Sequence, residues 1–196
     1  MYCCQVSIDF EWHWIYNIME HIQIERTSQM SVILIGMPSC GKSTLGVLLA
    51  KKLGYRFIDS DLLIQEREEM LLHEIIESKG IDGFLAIENE VNSSITDTKA
   101  VISTGGSAVY GKEAMEHLRT LGTVVYLYIS RETMKARLGD YVHRGVVLPE
   151  GHTLDSMYDE RNVLYESYAD IIVKTDNSDI STALEEITKN IIESEK

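Results

Sequence analysis

The stretch Gly36-Met37-Pro38-Ser39-Cys40-Gly41-Lys42-Ser43-Thr44 constrains this chain more than any other. It fits the phosphate-binding pattern G-x-x-x-x-G-K-[ST] without a mismatch. Val32 to Ile35 precede it as an apolar, β-branched run of strand length. Leu45, Leu48, Leu49 and Leu53 follow at helical spacing, with a stop signal at Gly54. Strand, glycine loop and helix together give the motif its physical meaning. The glycines let the backbone curl so that successive N–H groups face inward as a nest for phosphate oxygens. The helix N-terminus adds partial positive charge. Gly36, Ser39, Cys40, Gly41, Lys42, Ser43 and Thr44 are therefore the expected nucleotide contacts. Lys42 can reach the β and γ phosphates, and the Ser43 hydroxyl can ligate Mg²⁺. The pattern implies binding of a nucleoside triphosphate.

A length of 196 residues suits one domain, and 44% hydrophobic with 25% charged residues is ordinary for a globular protein. The net charge of −13, from 31 acids against 18 bases, argues against nucleic acid or an anionic membrane as the main partner. An anionic ligand must then be held by a local cluster of N–H groups, Lys and Arg. Cys3, Cys4 and Cys40 offer no disulfide framework, which points to a reducing, cytoplasmic setting. Cys40 reads as a small filler of the loop rather than a redox switch. His13, His21, His73, His117, His143 and His152 show no metal-ligand spacing.

Residues 1–29 stand apart. They hold Trp12 and Trp14 with Phe10, Tyr2 and Tyr16, and lack the basic start and cleavage site of a secretory signal. Ile15, Ile18 and Ile22 predict an amphipathic helix from Phe10 to Glu25. The stretch reads as an extension before a domain that starts at Met30, with an aromatic face that calls for a partner surface. The expected state is a monomer, with an oligomer formed through the extension as the alternative.

From Met30 strands and helices alternate. Strands are predicted at Tyr55 to Ile58, Ala100 to Ser103, Thr123 to Ile129 and Asp170 to Val173, besides the first. Helices are predicted at Asp61 to Ser78 with a break near Met70, Ile81 to Asp97, Gly111 to Leu121, Arg131 to Leu138, Thr153 to Tyr168 and Ser178 to Ser194. Continuous apolar strands separated by helices imply an α/β fold whose parallel sheet is covered on both faces.

Three stations carry the chemistry. Asp59-Ser60-Asp61 ends the second strand, and ligands in open α/β sheets sit at the carboxyl ends of strands. Alternation along the strand would send one carboxylate to the metal and the other to a second substrate, as a kinase requires. The plainer reading is that Ser60 or Asp61 caps the next helix. Thr104-Gly105-Gly106-Ser107 follows the third strand, either as a close approach for a ligand or as a tight turn with positive φ. Arg137 and Arg144 flank or sit in a glycine-bounded loop, Gly139 to Gly151, of the length of a mobile lid. A lid arginine could meet a transferring phosphate. Arg161 by itself reads as a surface ion pair with Glu160 or Asp159.

In order, the phosphate loop, Asp-x-Asp, Phe84-x-x-x-Glu88, Ile102-Ser103-Thr104-Gly105-Gly106, Val124-Val125-Tyr126-Leu127, the lid arginine, Arg161-x-x-Leu164-Tyr165 and Ala169-Asp170 resemble shikimate kinase. The resemblance runs from Met30 to Thr175. It implies a three-layer P-loop kinase fold with a central five-stranded parallel sheet. It further implies phosphorylation of the 3-hydroxyl of shikimate by ATP and Mg²⁺, in aromatic amino acid biosynthesis. On that resemblance Lys42 and Ser43 are the phosphate and magnesium residues and Asp59 is the acid near the metal. Asp61 holds the acceptor hydroxyls and acts as base, with Gly105 and Gly106 as substrate-binding glycines. Arg137 packs on adenine, Arg144 is the lid arginine, and Arg161 clamps the substrate carboxylate.

Three positions depart from the family pattern. Leu85 stands where the family has a second carboxylate-binding arginine, so one charge-assisted contact worth about 1.5–3 kcal/mol is lost. Glu88, which steadies that arginine in the family, is left without its partner. Ser107 replaces a third glycine, adding a hydroxyl and removing space, and the usual Arg-Pro of the lid is Arg144-Gly145. An intact nucleotide half beside an altered acceptor half fits a changed acceptor, another polyol or sugar acid as in gluconate kinase-like relatives. It fits a weak shikimate kinase equally. Retention of Lys42, Asp61 and Arg144 argues against a non-catalytic ATP-binding module.

Overall fold

In the computed structural model, five strands and seven helices alternate through residues 30–139, 146–148, 151–176 and 178–194, which are the described residues. The extension at 1–29 with its expected helix, and Arg144 and Gly145 with most of the expected lid, lie outside them. The order is β1 (Ser31–Ile35), α1 (Lys42–Leu53), β2 (Arg56–Asp59), α2 (Ser60–Glu68), α3 (Leu72–Ser94), β3 (Ala100–Ser103) and a 3₁₀ turn at Ala108–Tyr110. It continues with α4 (Lys112–Leu121), β4 (Gly122–Tyr128), α5 (Arg131–Leu138), α6 (Leu154–Tyr168), β5 (Ile171–Lys174) and α7 (Ile180–Ser194).

The strands form one parallel sheet in the order β2-β3-β1-β4-β5. Ile33, Leu34 and Ile35 of the central strand are wholly buried, as are Val101, Ile102 and Val124 to Leu127, because helices cover both faces. The edge strand β5 departs from that expectation. Ile171 and Val173 point inward, whereas Ile172 is 47% exposed and Lys174 lies 6.0 Å from the ring centre of Tyr128. A second apolar cluster, Ile64, Ile75, Phe84, Ile87, Val91 and Val147, joins α2, α3 and the segment 146–148.

The break near Met70 is present, and the gap expected between Ser78 and Ile81 falls at a non-helical Gly80. Glu69 takes the left-handed conformation at φ 54 and ends α2. Residues from Leu72 onward belong to α3, which kinks at Gly80 (φ 72, ψ 174) and runs on to Ser94 rather than Asp97. Glycine is required at Gly80 because other residues populate that region poorly. The 3₁₀ turn at Ala108–Tyr110 has no counterpart among the expected elements.

Gly122 is needed for a different reason, close approach. It pairs with Ser31 at the first register position of β4 on β1, and a Cβ there would stand 1.7 Å from the Ser31 carbonyl oxygen. Gly122→Ala must therefore push two central strands apart. The expected loss is about 3 kcal/mol, the upper end of overpacking, or roughly 6–12 °C in Tm for a domain this size. A thermal melt within about 2 °C of the parent protein would show that the strands yield more easily than close packing allows.

Candidate active site

The register sets the carboxyl ends of the central strands side by side. Leu34 and Asp59 both stand opposite Ser103, so the loops leaving β1, β2 and β3 emerge along one edge. Thr104 locks two of them together, donating from its N–H (3.2 Å) and its hydroxyl (3.0 Å) to the Leu34 carbonyl. A cavity of about 430 Å³ opens there.

The phosphate loop forms the first wall. Gly36 has φ 146, and a Cβ on it would meet the Leu127 carbonyl oxygen at 2.7 Å and Cys40 Sγ at 2.9 Å. Gly41, at φ 102, precedes the first turn of α1. Ser39 is a serine in the left-handed region at φ 64, a strain of order 1–3 kcal/mol that no sequence signal announced. The Cys40 side chain is buried in the core, in keeping with a filler role, so only its backbone can serve a ligand. Lys42 is buried, and its ammonium donates to the carbonyls of Gly36 (2.8 Å) and Met37 (3.0 Å). Ser43 Oγ donates to Asp59 Oδ2 at 2.7 Å and lies 3.3 Å from Ser103 Oγ. Thr44 is exposed and borders the cavity.

Asp59 and Asp61 diverge, though not by strand alternation. Asp59 closes β2 and caps α2, its Oδ1 accepting from the Asp61 N–H at 3.1 Å, so the cap is neither Ser60 nor Asp61. Asp61 lies in the first helical turn and borders the cavity, while Asp59 stays on Ser43. Buried Ser60 accepts from the Gly105 N–H at 3.2 Å, tying the loop after β2 to the loop after β3. The paired glycines are not in a positive-φ turn. They serve close approach instead: a Cβ on Gly105 would meet Glu88 Oε1 at 2.2 Å and Asp61 Oδ1 at 2.8 Å, and one on Gly106 would meet Pro38 Cγ at 2.9 Å.

Arg161 overturns the surface reading. It has no exposed area, and no carboxylate among the described residues forms an ion pair with it. Its Nη2 donates to the Val147 carbonyl (2.5 Å) and its Nε to Tyr110 Oη (3.3 Å), with the guanidinium 5.2 Å from the Tyr110 ring centre. Asp159 pairs with Arg131, and Glu160 lies beside His152. Arg137, at the end of α5, borders the cavity and donates to the carbonyls of Thr175 (3.3 Å) and Asp176 (3.0 Å). Sequence reasoning missed Tyr110 and Val147, which hold Arg161, and Ser103, which approaches Ser43. Tyr110 and Val147 belong to no local pattern, whereas Ser103 lies in the stretch Ile102 to Gly106, which gave it no role of its own.

Two carboxyls in the cavity wall have raised pKa values. Asp61 is pushed up to about 6 by burial of its carboxyl and by the charge of Asp59, against the pull of Lys42. Glu88 is pushed up to about 7, chiefly by burial and also by Asp61, while the Ser107 hydroxyl, Arg161 and Lys42 act the other way. Glu88 Oε1 has no hydrogen-bond partner among the described residues, as the loss of its arginine implied. Leu85 does not border the cavity. It packs against the Phe84 cluster and lines a neighbouring cleft with Asn89 and Tyr110.

The family profile described as shikimate kinase matches residues 38–194. The chain belongs to the shikimate kinase family. Shikimate kinase 2 of Yersinia pseudotuberculosis serotype O:3 is 39% identical over 110 residues, 56% of this chain and 63% of that protein. The chain thus matches less than two thirds of the length of that relative. The shikimate kinase of Vibrio cholerae serotype O1 is 33% identical over 166 residues, 83% of this chain and 95% of that protein. Among solved structures, shikimate kinase from Acinetobacter baumannii in complex with shikimate superposes with a TM-score of 0.78 at 27% identity, covering 88% of this chain and 98% of that one. Shikimate kinase from Aquifex aeolicus gives a TM-score of 0.72 at 32% identity, covering 84% and 97%. The expected P-loop kinase fold with a five-stranded parallel sheet is borne out.

The raised carboxyls of this shikimate kinase family member have a stability consequence. Their folded-state values, about 6 and about 7, lie above the ordinary 3.8 and 4.5. The folded protein then binds more protons than the unfolded chain between roughly pH 4 and 7, so stability falls as pH rises through that window. Glu88→Gln removes one of the two terms. It is expected to stabilise the protein by about 2–3 kcal/mol at pH 8 and by little at pH 4. Thermal melts of both proteins at the two pH values check this, and an equal gain at both would contradict it.

Proposed function

We propose that this chain transfers the γ-phosphoryl group of ATP to the 3-hydroxyl of shikimate, as an enzyme of aromatic amino acid biosynthesis. One observation carries the reading: a fully buried arginine that forms no ion pair with a carboxylate among the described residues faces the same cavity as the phosphate loop and Asp61. A buried guanidinium calls for an anion, and shikimate presents a carboxylate together with ring hydroxyls. The relative from A. baumannii was solved with shikimate bound, which supports this acceptor.

In this scheme the N–H groups of the loop and the N-terminus of α1 hold the phosphate oxygens. Lys42 exchanges the Gly36 and Met37 carbonyls for the β and γ oxygens. Arg137 packs on the adenine. Arg161 grips the acceptor carboxylate, and Gly105 and Gly106 let the acceptor come close to the backbone. Asp61 orients the acceptor hydroxyl and takes its proton. The Ser43 hydroxyl and the Asp59 carboxylate form a pair of hard oxygen donors, which fits Mg²⁺ beside substrate phosphates. A Mg²⁺ ion held there would supply charge neutralisation for the transferring phosphoryl group. The same proposal takes residues 30–196 as the kinase domain, acting as a monomer in the cytoplasm. No helix among the described residues is long and apolar enough to cross a membrane.

A second reading keeps the phosphoryl transfer and changes the acceptor to another polyol or sugar acid. It is favoured by Leu85 lying outside the cavity and by Glu88 Oε1, which has no hydrogen-bond partner among the described residues. Steady-state ADP release with ATP and Mg²⁺, run with shikimate and a panel of hydroxy acids, separates the two. The first reading expects saturation with shikimate in the usual range of about 1 μM–1 mM. An idle shikimate beside a rapidly consumed panel member would reject it.

A further inference from the structure

One carboxyl at the acceptor end has no task in the scheme above. Glu88, on α3, is 1% exposed, borders the cavity, and leaves Oε1 without a partner among the described residues. Its surroundings explain why. Asp61 approaches from the β2–α2 junction, with Asp59 acting on Asp61 in turn, and Ser107 approaches from the loop after β3. Lys42 is turned to the carbonyls of its own loop, and Arg161 donates to Val147 and Tyr110 rather than to Glu88. Position 85, three residues earlier on the same helix and so a surface neighbour, is a leucine directed elsewhere.

The geometry adds a direction. Glu88 Oε1 and Asp61 Oδ1 lie 2.2 and 2.8 Å from the one point where a Cβ on Gly105 would stand. Two carboxyls therefore converge across a residue that has no side chain to separate them from a ligand. Adjacent hydroxyls on a ring are spaced on the scale of a hydrogen bond, which suits such a pair. A buried acceptor atom left unmade discriminates strongly in favour of a ligand that supplies the donor.

We infer that Glu88 is an acceptor-reading residue: it takes a hydrogen bond from a hydroxyl or amine on the carbon next to the hydroxyl held at Asp61. The site then selects for two neighbouring donors and leans less on the acceptor's carboxylate, which Arg161 holds without an arginine at position 85 beside it. An arginine at 85 would have satisfied Glu88 from within the protein, and Leu85 hands that task to the ligand. The inference rests on the proposed acceptor kinase activity and concerns the same cavity.

The test compares shikimate with two analogues, one lacking the hydroxyl next to the phosphorylated one and one carrying an amine there. Turnover and calorimetric binding to the ADP-loaded full chain are both measured, for the parent protein, Glu88→Met, Glu88→Gln and Leu85→Arg. In the parent, deleting the hydroxyl should lower kcat/KM by at least about 30-fold, mostly through KM. Glu88→Met should shrink that factor below about threefold, and Glu88→Gln, which keeps an accepting oxygen, should retain part of it. Leu85→Arg should tighten shikimate and reduce the hydroxyl dependence, because Glu88 then has a cation. Tight binding of the amine analogue would assign an ammonium as the preferred donor, and weak binding would assign a hydroxyl. Equal hydroxyl dependence in the parent and Glu88→Met overturns the inference. If Glu88→Met does not fold, unchanged dependence in Leu85→Arg overturns it. Absence of shikimate turnover in the parent would reject the proposed activity, while the calorimetric ratio between analogues would still decide the role of Glu88.

Discussion

Asp61→Asn is expected to lower turnover of shikimate by about 10²–10⁴-fold, the usual share of a positioned general base, while ADP affinity stays within about threefold. The split follows from place. Asp61 sits in the first turn of α2 on the acceptor side, whereas Asp59 stays on Ser43 and Lys42 on the loop. The same substitution should change the pH profile. In the parent, Asp61 is held at about 6 by burial and Asp59, with Glu88 beside it at about 7 and Lys42 and Arg161 opposing. A base works only when deprotonated, so kcat/KM should fall as pH drops through that range, with the limb belonging to the pair rather than to either group. The Asn variant should lose its lower part. Steady-state kinetics from pH 5 to 9 with ADP calorimetry make the measurement. Parental turnover in Asp61→Asn would exclude it as the proton acceptor.

Arg161→Met is the second large effect. A charge-assisted, desolvated contact to a carboxylate should disappear, raising KM for shikimate by about 10²-fold with a much smaller change in KM for ATP. Arg161→Lys keeps the charge and loses the planar fork that spans Val147 and Tyr110, so it should fall between, near 10-fold. Stability should hold within about 2 kcal/mol in the Met variant, since removing a buried charge relieves its desolvation cost while the Val147 carbonyl loses its hydrogen bond. Kinetics with each substrate varied in turn, alongside thermal melts, separate these terms. Equal KM changes for both substrates would mean that Arg161 shapes the whole site rather than gripping the acceptor.

Much of this site was legible in one dimension because its parts are local. The phosphate loop needs two glycines, a lysine and a serine at fixed offsets between a strand and a helix, and all lie within one short stretch. Phe84 and Glu88 share a helix face by spacing alone, and both reach the cavity wall. The family resemblance drew on the order of such local pieces, and the match over residues 38–194 bears it out. Arg144, the lid and the aromatic extension lie outside the described residues.

Where the reading failed, the deciding neighbour was distant in the chain. Arg161 looked like a surface charge because Asp159 and Glu160 flank it, yet Tyr110 and Val147 enclose it. Gly122 carried no turn signal because its constraint is the Ser31 carbonyl across the sheet. Asp59 became a cap because β2 gives way to a helix one residue sooner than expected. Ile172 faces outward because β5 happens to be an edge. Local dihedral preference and apolar periodicity act within a few residues, and these were enough to set the elements and the phosphate cradle. Burial, and with it the charge state of Asp61, Glu88 and Arg161, depends on which remote segments the sheet order lays against each side chain, and only the folded structure decides that.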